Sequence, residues 1–162
     1  LVTRVHPEYI LYENLPGIEK VEDITPQFWE NRMEQMVNFE KHISSNGTKV
    51  LKFYFHMSKD EQRERLLKRL ENPEDNWKFS TGDLKERALW DDYMKYYEEA
   101  INKTSTDFAP WYIIPADDKG VARYIVAKII WEEMEKLTDI AEPELDPKVK
   151  ANIEEYRTQL KK

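Results

Sequence analysis

Two arginines four residues apart give this sequence its clearest capacity for chemistry. Arg65 and Arg69 lie in the charged run KDEQRERLLKRLE, where a helix would place their side chains on neighbouring turns of one side. A guanidinium group can bind phosphate oxygens through two parallel hydrogen bonds, so such a pair is typical of phosphate recognition. The alternative is a solvated helix face on which Arg65 pairs with Glu61, an arrangement that is common and weak.

More charged side chains follow in the same part of the chain. Lys78 lies between Trp77 and Phe79 in an irregular polar and aromatic segment, which we interpret as a mobile flap. Arg87 follows Asp83 by about one helical turn, so it either pairs with that carboxylate or points at a ligand. The residue types alone favour structural pairing for Arg87.

The stretch 104–123, TSTDFAPWYIIPADDKGVAR, combines a short apolar strand, a polar turn and a helix start. The strand is expected at Trp111 to Ile114, and Asp117 ends the turn. Ligand sites of α/β proteins lie at the carboxyl ends of strands and at helix N-termini, so this turn is a candidate site. The alternative is a buried edge strand followed by a turn that prolines bound.

Cap residues and hydrophobic periodicity predict the elements that position these side chains. The predicted elements are a helix from Thr25-Pro26 to Asn46-Gly47, a largely buried strand over 49–56, a helix that begins with a Ser58/Glu61 capping box, a long helix over 80–102, the strand at 111–114, a helix over 119–137 and a last helix from Asp146-Pro147. The residues expected to face inward on the first four helices are Trp29, Met33, Met36, Val37, Ile43, Gln62, Leu66, Leu67, Leu70, Leu84, Ala88, Tyr93, Tyr97, Ile101, Ala122, Ile125, Ile129, Ile130 and Met134, and Val149, Ile153, Tyr156 and Leu160 form a narrow apolar seam on the last.

The order of strand, two helices, strand and helix predicts an α/β fold with a parallel crossover. The sequence predicts only two strands, which are too few to form a stable sheet against so many helices. The sheet is therefore expected to be incomplete. With glycines only at 17, 47, 82 and 120, the chain contains no Gly-x-x-x-x-Gly-Lys-Ser/Thr phosphate loop.

The amino-acid composition argues against several classes of function. A net charge of −7 argues against a general nucleic-acid-binding surface, because phosphate neutralisation supplies most of that affinity. The absence of Cys excludes disulfides and thiolate zinc sites, and the three His residues show no metal-ligand spacing. Since no apolar run is long enough to span a bilayer, we expect no membrane partner and a cytoplasmic location.

The chain begins with Leu1-Val2-Thr3-Arg4-Val5, apolar residues in the middle of a pattern and without an initiator Met. We therefore expect a shortened chain, whether it arose by design or by proteolysis.

Three blocks in the same order resemble the C-terminal half of polyphosphate kinase family 2. These blocks are 52–81, 83–94 and 104–123, and the opening LVTRVHPE resembles the residues immediately after that family's Walker B segment. The resemblance runs nearly continuously from Leu1 to about Leu137.

The resemblance implies an incomplete P-loop kinase-like fold with a helical lid at about 58–103, in a domain over 1–137, followed by a linker and C-terminal helix over 138–162. It also implies phosphoryl transfer between inorganic polyphosphate and an adenine or guanine nucleoside mono- or diphosphate with Mg²⁺, by a homo-oligomer. The Walker A and B motifs and the Mg²⁺ ligands are expected upstream of Leu1, so this part alone is expected to be inactive.

Residues that match the family's pattern become the candidate site, with no metal ligand among them. The catalytic candidates are Arg65, Arg69 and Arg87, and the phosphate- or nucleotide-binding candidates are Arg4, Lys78, Asp83, Asp117, Lys119 and Arg123. Two alternatives remain at this point: a non-enzymatic helical interaction domain, with the helices after Thr25, Ser80 and Asp146 bundled against a vestigial sheet, and another nucleotide kinase, of the nucleoside monophosphate type.

Overall fold

The computed structural model describes residues 1–138 and 140–161 of a mostly helical α/β chain. The chain divides into two compact units, 1–126 and 127–162, and one helix crosses the boundary between them. The helices and strands are α1 (Val2–Val5), α2 (Pro26–Ser45), β1 (Lys52–His56), α3 (Lys59–Glu71), α4 (Thr81–Ala88), α5 (Trp90–Thr104), β2 (Trp111–Pro115), α6 (Lys119–Glu135), α7 (Pro147–Ala151) and α8 (Ile153–Leu160). Short 3₁₀ helices lie at Pro7–Glu13, Val21–Asp23 and Pro73–Lys78.

β1 and β2 form a two-stranded parallel sheet, which confirms the predicted crossover through the helices between them. In its register, Lys52 lies opposite Trp111 and His56 lies opposite Pro115. Parallel neighbours bring their carboxyl ends to one edge of the sheet, so the residues after His56 and after Pro115 meet there.

Each face of this sheet is covered over one strand and open over the other. On one face, the ring of Tyr54 lies 4.5 Å from that of Tyr97 on α5, whereas its sheet neighbour Ile113 is 60% exposed. On the other face, Ile114 is only 1% exposed, whereas its sheet neighbour Phe55 is 52% exposed. The prediction of a largely buried first strand was therefore wrong, since the first three residues of β1 are half-buried and the last two are exposed, because the described part of the chain places too little structure over it.

Most predicted helix starts are confirmed by their caps. Thr25 Oγ1 accepts a hydrogen bond from the Phe28 N–H, with Pro26 as the first helical residue of α2. Gly47, in the left-handed region with φ of 89°, ends that helix as expected. Ser80 and Asp83 form the predicted capping box of α4, in which Ser80 accepts from Gly82 N–H and Asp83 accepts from Ser80 N–H.

Two predicted long helices are each broken in two. The first breaks at Leu89, whose N–H donates to the carbonyl of Glu86 at the tighter 3₁₀ spacing, and the last breaks at Asn152. Neither position carries Gly or Pro, so hydrophobic periodicity continues through each break and gives no sign of it.

The hydrophobic core is smaller than predicted. The buried apolar residues are Ile10, Trp29, Ala109, Ile114, Ala116 and Ala122. Several residues that were expected to face inward are largely exposed instead, namely Met36, Leu67, Leu70, Leu84, Ile130 and Met134. Helical periodicity identifies an apolar face, but burial also needs a second element against it, which these positions lack among the described residues.

Residues 140–146 form no helix or strand, and Asp139 and Lys162 of the predicted C-terminal segment lie outside the described residues. Within the described ranges, no helix combines the length and the apolarity that a membrane span needs.

Candidate functional site

A cleft of about 360 Å³ lies among β1, α3, α4 and α5, in the first of the two units. Its walls combine aromatic and thioether side chains with two guanidinium groups and two carboxylates. The residues that line it are Tyr54, Phe55, Met57, Gln62, Arg65, Leu66, Arg69, Asp83, Glu86, Trp90 and Met94. The arginine pair predicted from the spacing therefore does converge on one concave surface.

Arg65 connects α3 to the turn after β2. Its Nε donates to Glu61 at 2.7 Å, which confirms the expected pair, and its Nη2 donates to the carbonyls of Ala116 and Asp117 at 2.8 and 3.0 Å. With these bonds made, Arg65 shapes the wall of the cleft and fixes the strand-end turn.

The predicted Ser58/Glu61 capping box is only half formed. Ser58 Oγ accepts from the Glu61 N–H, but the Ser58 N–H donates to Asp117 Oδ1 at 2.7 Å, while the Glu61 carboxylate accepts from Arg65. Hydrogen bonds from Ser58, first from its N–H and then from its hydroxyl, hold the pKa of Asp117 below its usual range, and the charges of Arg65 and His56 add to this. Asp117 thus joins the ends of both strands.

Of the two guanidinium groups in the cleft, that of Arg69 has the weaker attachment to the protein. It lies 3.7 Å from the Asp83 carboxylate, and its side chain is 42% exposed. Asp83 in turn accepts from the Ser80 N–H at the start of α4. An exposed ion pair at this distance is worth little, so a phosphate group could replace Asp83 as the partner of Arg69 at small cost.

Arg87 turns away from Asp83 and holds α4 against α3. Its Nη1 donates to the carbonyl of Lys59 at 2.6 Å and to Gln62 Oε1 at 2.8 Å. The structure therefore gives Arg87 structural partners other than the Asp83 carboxylate that its spacing suggested. In this state Arg87 positions the two helices whose side chains line the cleft.

Lys119 and Arg123 occupy the first two turns of α6 and are exposed. Asp118 caps this helix, since its Oδ1 accepts from the N–H groups of Gly120 and Val121 at 2.7 and 2.9 Å. Among the described residues, neither cation has a hydrogen-bond or ion-pair partner. They follow the turn that Arg65 holds, so they lie after the carboxyl end of β2.

Arg4 and Lys78 do not line the cleft. Arg4 donates to Glu99 at 2.9 Å and lies over the rings of Trp29 and Tyr96, at 4.9 and 4.7 Å from their centroids, so it packs the N-terminal segment onto α2 and α5. Lys78 pairs with Asp75 at 2.5 Å in the 3₁₀ helix after α3.

Sequence reasoning missed a contact between His6 and α4. His6 Nε2 lies 3.1 and 3.0 Å from the two carboxylate oxygens of Glu86, and the Tyr93 hydroxyl donates to Glu86 at 2.6 Å. Hydrogen bonding to Glu86 is the main cause that raises the pKa of His6, and the bonds from Tyr93 and His6 lower the pKa of Glu86. Burial, followed by the bond to Glu86, raises the pKa of Tyr93. The partners lie 80 residues apart in the sequence, so no local spacing pattern predicts this contact.

The cleft has the chemistry of an anion site with an apolar wall. Aromatic and thioether groups exclude water, while guanidinium groups present N–H donors to oxygen ligands. Within residues 1–138 and 140–161, no three His, Asp or Glu side chains converge to hold a metal ion.

A parallel crossover with an arginine-lined cleft is typical of proteins that bind phosphate groups at strand ends. The family model described as polyphosphate kinase 2 (PPK2) matches residues 11–142, and the chain belongs to this family. The resemblance drawn from the three sequence blocks is thereby confirmed.

Relatives and solved structures agree with this assignment. The chain is 45% identical over 162 residues to an ADP-polyphosphate phosphotransferase of Rhodopseudomonas palustris, covering 100% of this chain and 55% of the relative. It is 44% identical over 138 residues to an AMP/ADP-polyphosphate phosphotransferase of Meiothermus ruber, covering 85% and 49%. The crystal structure of polyphosphate kinase 2 from Arthrobacter aurescens matches with a TM-score of 0.72 at 38% identity, covering 79% of this chain and 46% of that one. The chain thus spans about half the length of these relatives.

Proposed function

We propose that this chain is the lid-bearing C-terminal part of an enzyme that transfers phosphoryl groups between inorganic polyphosphate and a nucleoside mono- or diphosphate. The observation that carries the proposal is the convergence of Arg65 and Arg69 on one cleft in a member of the PPK2 family. The activities for which the two relatives are named, on ADP and on AMP or ADP, support the nucleotide class. Family membership also favours this function over the two alternatives considered from the sequence.

Phosphoryl transfer needs positioning and charge stabilisation more than covalent chemistry, and this divides the work among the arginines. Arg69 is the group that binds phosphate directly, because its ion-pair partner among the described residues, the Asp83 carboxylate, lies 3.7 Å away. Arg65 and Arg87 are bonded to carbonyls and to Gln62, so their first role is to hold the cleft in shape. When substrate closes the lid, at about 58–103, both can turn part of their N–H groups toward it.

The cations after β2 form a second proposed contact. Lys119 and Arg123 are exposed, and their position beyond the strand end suits nucleotide phosphates, with Asp117 holding the turn. Lys78 is proposed to approach phosphate only after the segment around it moves. Arg4 is proposed to contribute from the side of α5 on which it pairs with Glu99.

Mg²⁺ is proposed as the cofactor of the complete protein, with ligands outside this chain. The proposed partners are polyphosphate and an adenine or guanine nucleotide, in a cytoplasmic homo-oligomer.

We expect residues 1–162 alone to transfer no phosphate, because the chain has no glycine-rich phosphate loop. Mg²⁺-dependent transfer from polyphosphate to ADP or AMP should be measurable only for the complete polypeptide. In that polypeptide, Arg69→Ala should raise the KM for polyphosphate by about tenfold, as expected for one lost charged hydrogen bond.

Arg63→Ala is the matched control, since Arg63 lies on the same helix, is 55% exposed and pairs only with surface carboxylates. Transfer by residues 1–162 alone would contradict the proposed inactivity. An equal effect of the two substitutions would contradict the role of Arg69.

A further inference from the structure

The cleft that attracts phosphate also contains two carboxylates, which would repel it. Asp83 is offset by Arg69 and by the N–H of Ser80. Glu86 has no arginine or lysine partner among the described residues, and its side chain is 45% exposed. Its charge is balanced only by His6, with Tyr93 donating a further hydrogen bond.

The geometry around His6 suits a protonated ring. Nε2 lies 3.0 Å from Glu86 Oε2, and Nδ1 lies 3.4 Å from Glu8 Oε1, so both ring nitrogens face carboxylates. The ring stacks on Tyr9 at 5.2 Å. A neutral imidazole has one N–H only and can donate to only one of these two carboxylates.

We propose that protonated His6 neutralises Glu86 in the wall of the cleft, and that loss of this proton weakens binding of polyanionic phosphate there. The inference deepens the proposed function and rests on it. His6 itself is then a positioning residue, because it acts on the ligand through Glu86 and not by contact.

The direction of the pH effect is set by the geometry and the pKa shift together. The pKa of His6 is raised, mainly by its hydrogen bond to Glu86, so the ion pair is complete below the ordinary His pKa of about 6.5 and is lost as pH rises through the raised value. The titratable groups that face His6 are Glu8 and Tyr9 in the following turn, Glu86 on α4 and, through Glu86, Tyr93 on α5. The pKa of Glu86 is lowered, first by the bond from Tyr93 and then by that from His6, so this carboxylate stays ionised across the window and His6 carries the change.

The first measurement monitors the ring itself and needs no ligand. Titration of residues 1–162 by NMR should show a His6 pKa above the ordinary His value of about 6.5. Glu86→Gln should lower the His6 pKa, whereas His42→Gln, at an exposed residue near the end of α2, should leave it unchanged. A His6 pKa that Glu86→Gln does not move would overturn the inference and leave the proposed function standing.

The second measurement is binding of inorganic polyphosphate of one defined length to the same chain at constant ionic strength. The wild-type dissociation constant should rise about fivefold through the His6 titration, the size expected for one partly exposed charge pair. His6→Gln should bind weakly on both sides of that pH window, and Glu86→Gln should bind tightly on both sides. The double variant should resemble Glu86→Gln, because the charge that His6 neutralises is gone.

His42→Gln serves as the control and should keep the wild-type pH dependence. If Glu86→Gln also keeps that dependence, another group titrates and the inference is wrong. If no variant binds polyphosphate at any pH, the proposed function fails together with this inference, whereas the NMR titration separates the two.

Discussion

At the scale of single residues, the arginines of α3 differ in what they do, although their spacing makes them look alike. Arg65 donates hydrogen bonds to two backbone carbonyls and to Glu61, whereas Arg69 faces the cleft near Asp83. The sequence predicted the Arg65–Glu61 pair from its i,i+4 spacing. It could not predict the bonds to Ala116 and Asp117, because these depend on how the strand ends meet in space.

Replacing Arg65 should lower the free energy of unfolding more than replacing an exposed residue of the same helix. Arg65→Ala removes charged hydrogen bonds to two carbonyls, one of them on the buried Ala116, and should lower the free energy of unfolding by about 2 kcal/mol. Urea unfolding of residues 1–162 measures this. Arg63→Ala, on the exposed side of α3, should cost less than about 0.5 kcal/mol. Equal losses from the two variants would mean that the carbonyl bonds contribute nothing.

At the scale of elements, cap chemistry was the most predictable part of the fold. Thr25, Ser58 and Ser80 all accept a backbone hydrogen bond at the helix starts where they were expected. The break at Leu89 and the low burial of several predicted inward residues were not predictable. Both depend on which elements pack together, and local propensity and periodicity do not contain that information.

Arg87 donates the side-chain hydrogen bonds that join α4 to α3, so its removal should loosen α4 before the rest of the chain. Arg87→Ala removes the bonds to Lys59 O and Gln62 Oε1, and amide hydrogen exchange in α4 should become several-fold faster while that in α2 stays unchanged. Lys85→Ala, an exposed substitution on the same helix, is the control. Unchanged exchange in α4 of Arg87→Ala would show that other contacts hold this helix.

At the scale of the whole molecule, the chain consists of two compact units, and the segment 140–146 lies within the second one. The predicted division at residue 137 stays a prediction. It came from the loss of periodicity there and from the acidic, proline-containing composition of that segment.

Limited proteolysis checks this division. A Glu-specific protease should cut first after Glu142 or Glu144, because both are exposed in a segment without helix or strand. Glu40 and Glu99, which pair with Lys52 and Arg4 inside helices, should be cut last. A first cut within 59–104 would place the most open part of the chain in the proposed lid instead.

The bond between Ser58 and Asp117 has a consequence for the time course of folding. Its partners lie 59 residues apart, and the parallel strands it joins can pair only after the chain between them has become compact. The local helices α3, α4 and α5 can form within microseconds, whereas β1 and β2 must wait for this long loop to close. The strand-end turn that shapes the cleft is therefore completed late, after the helices that carry its arginines.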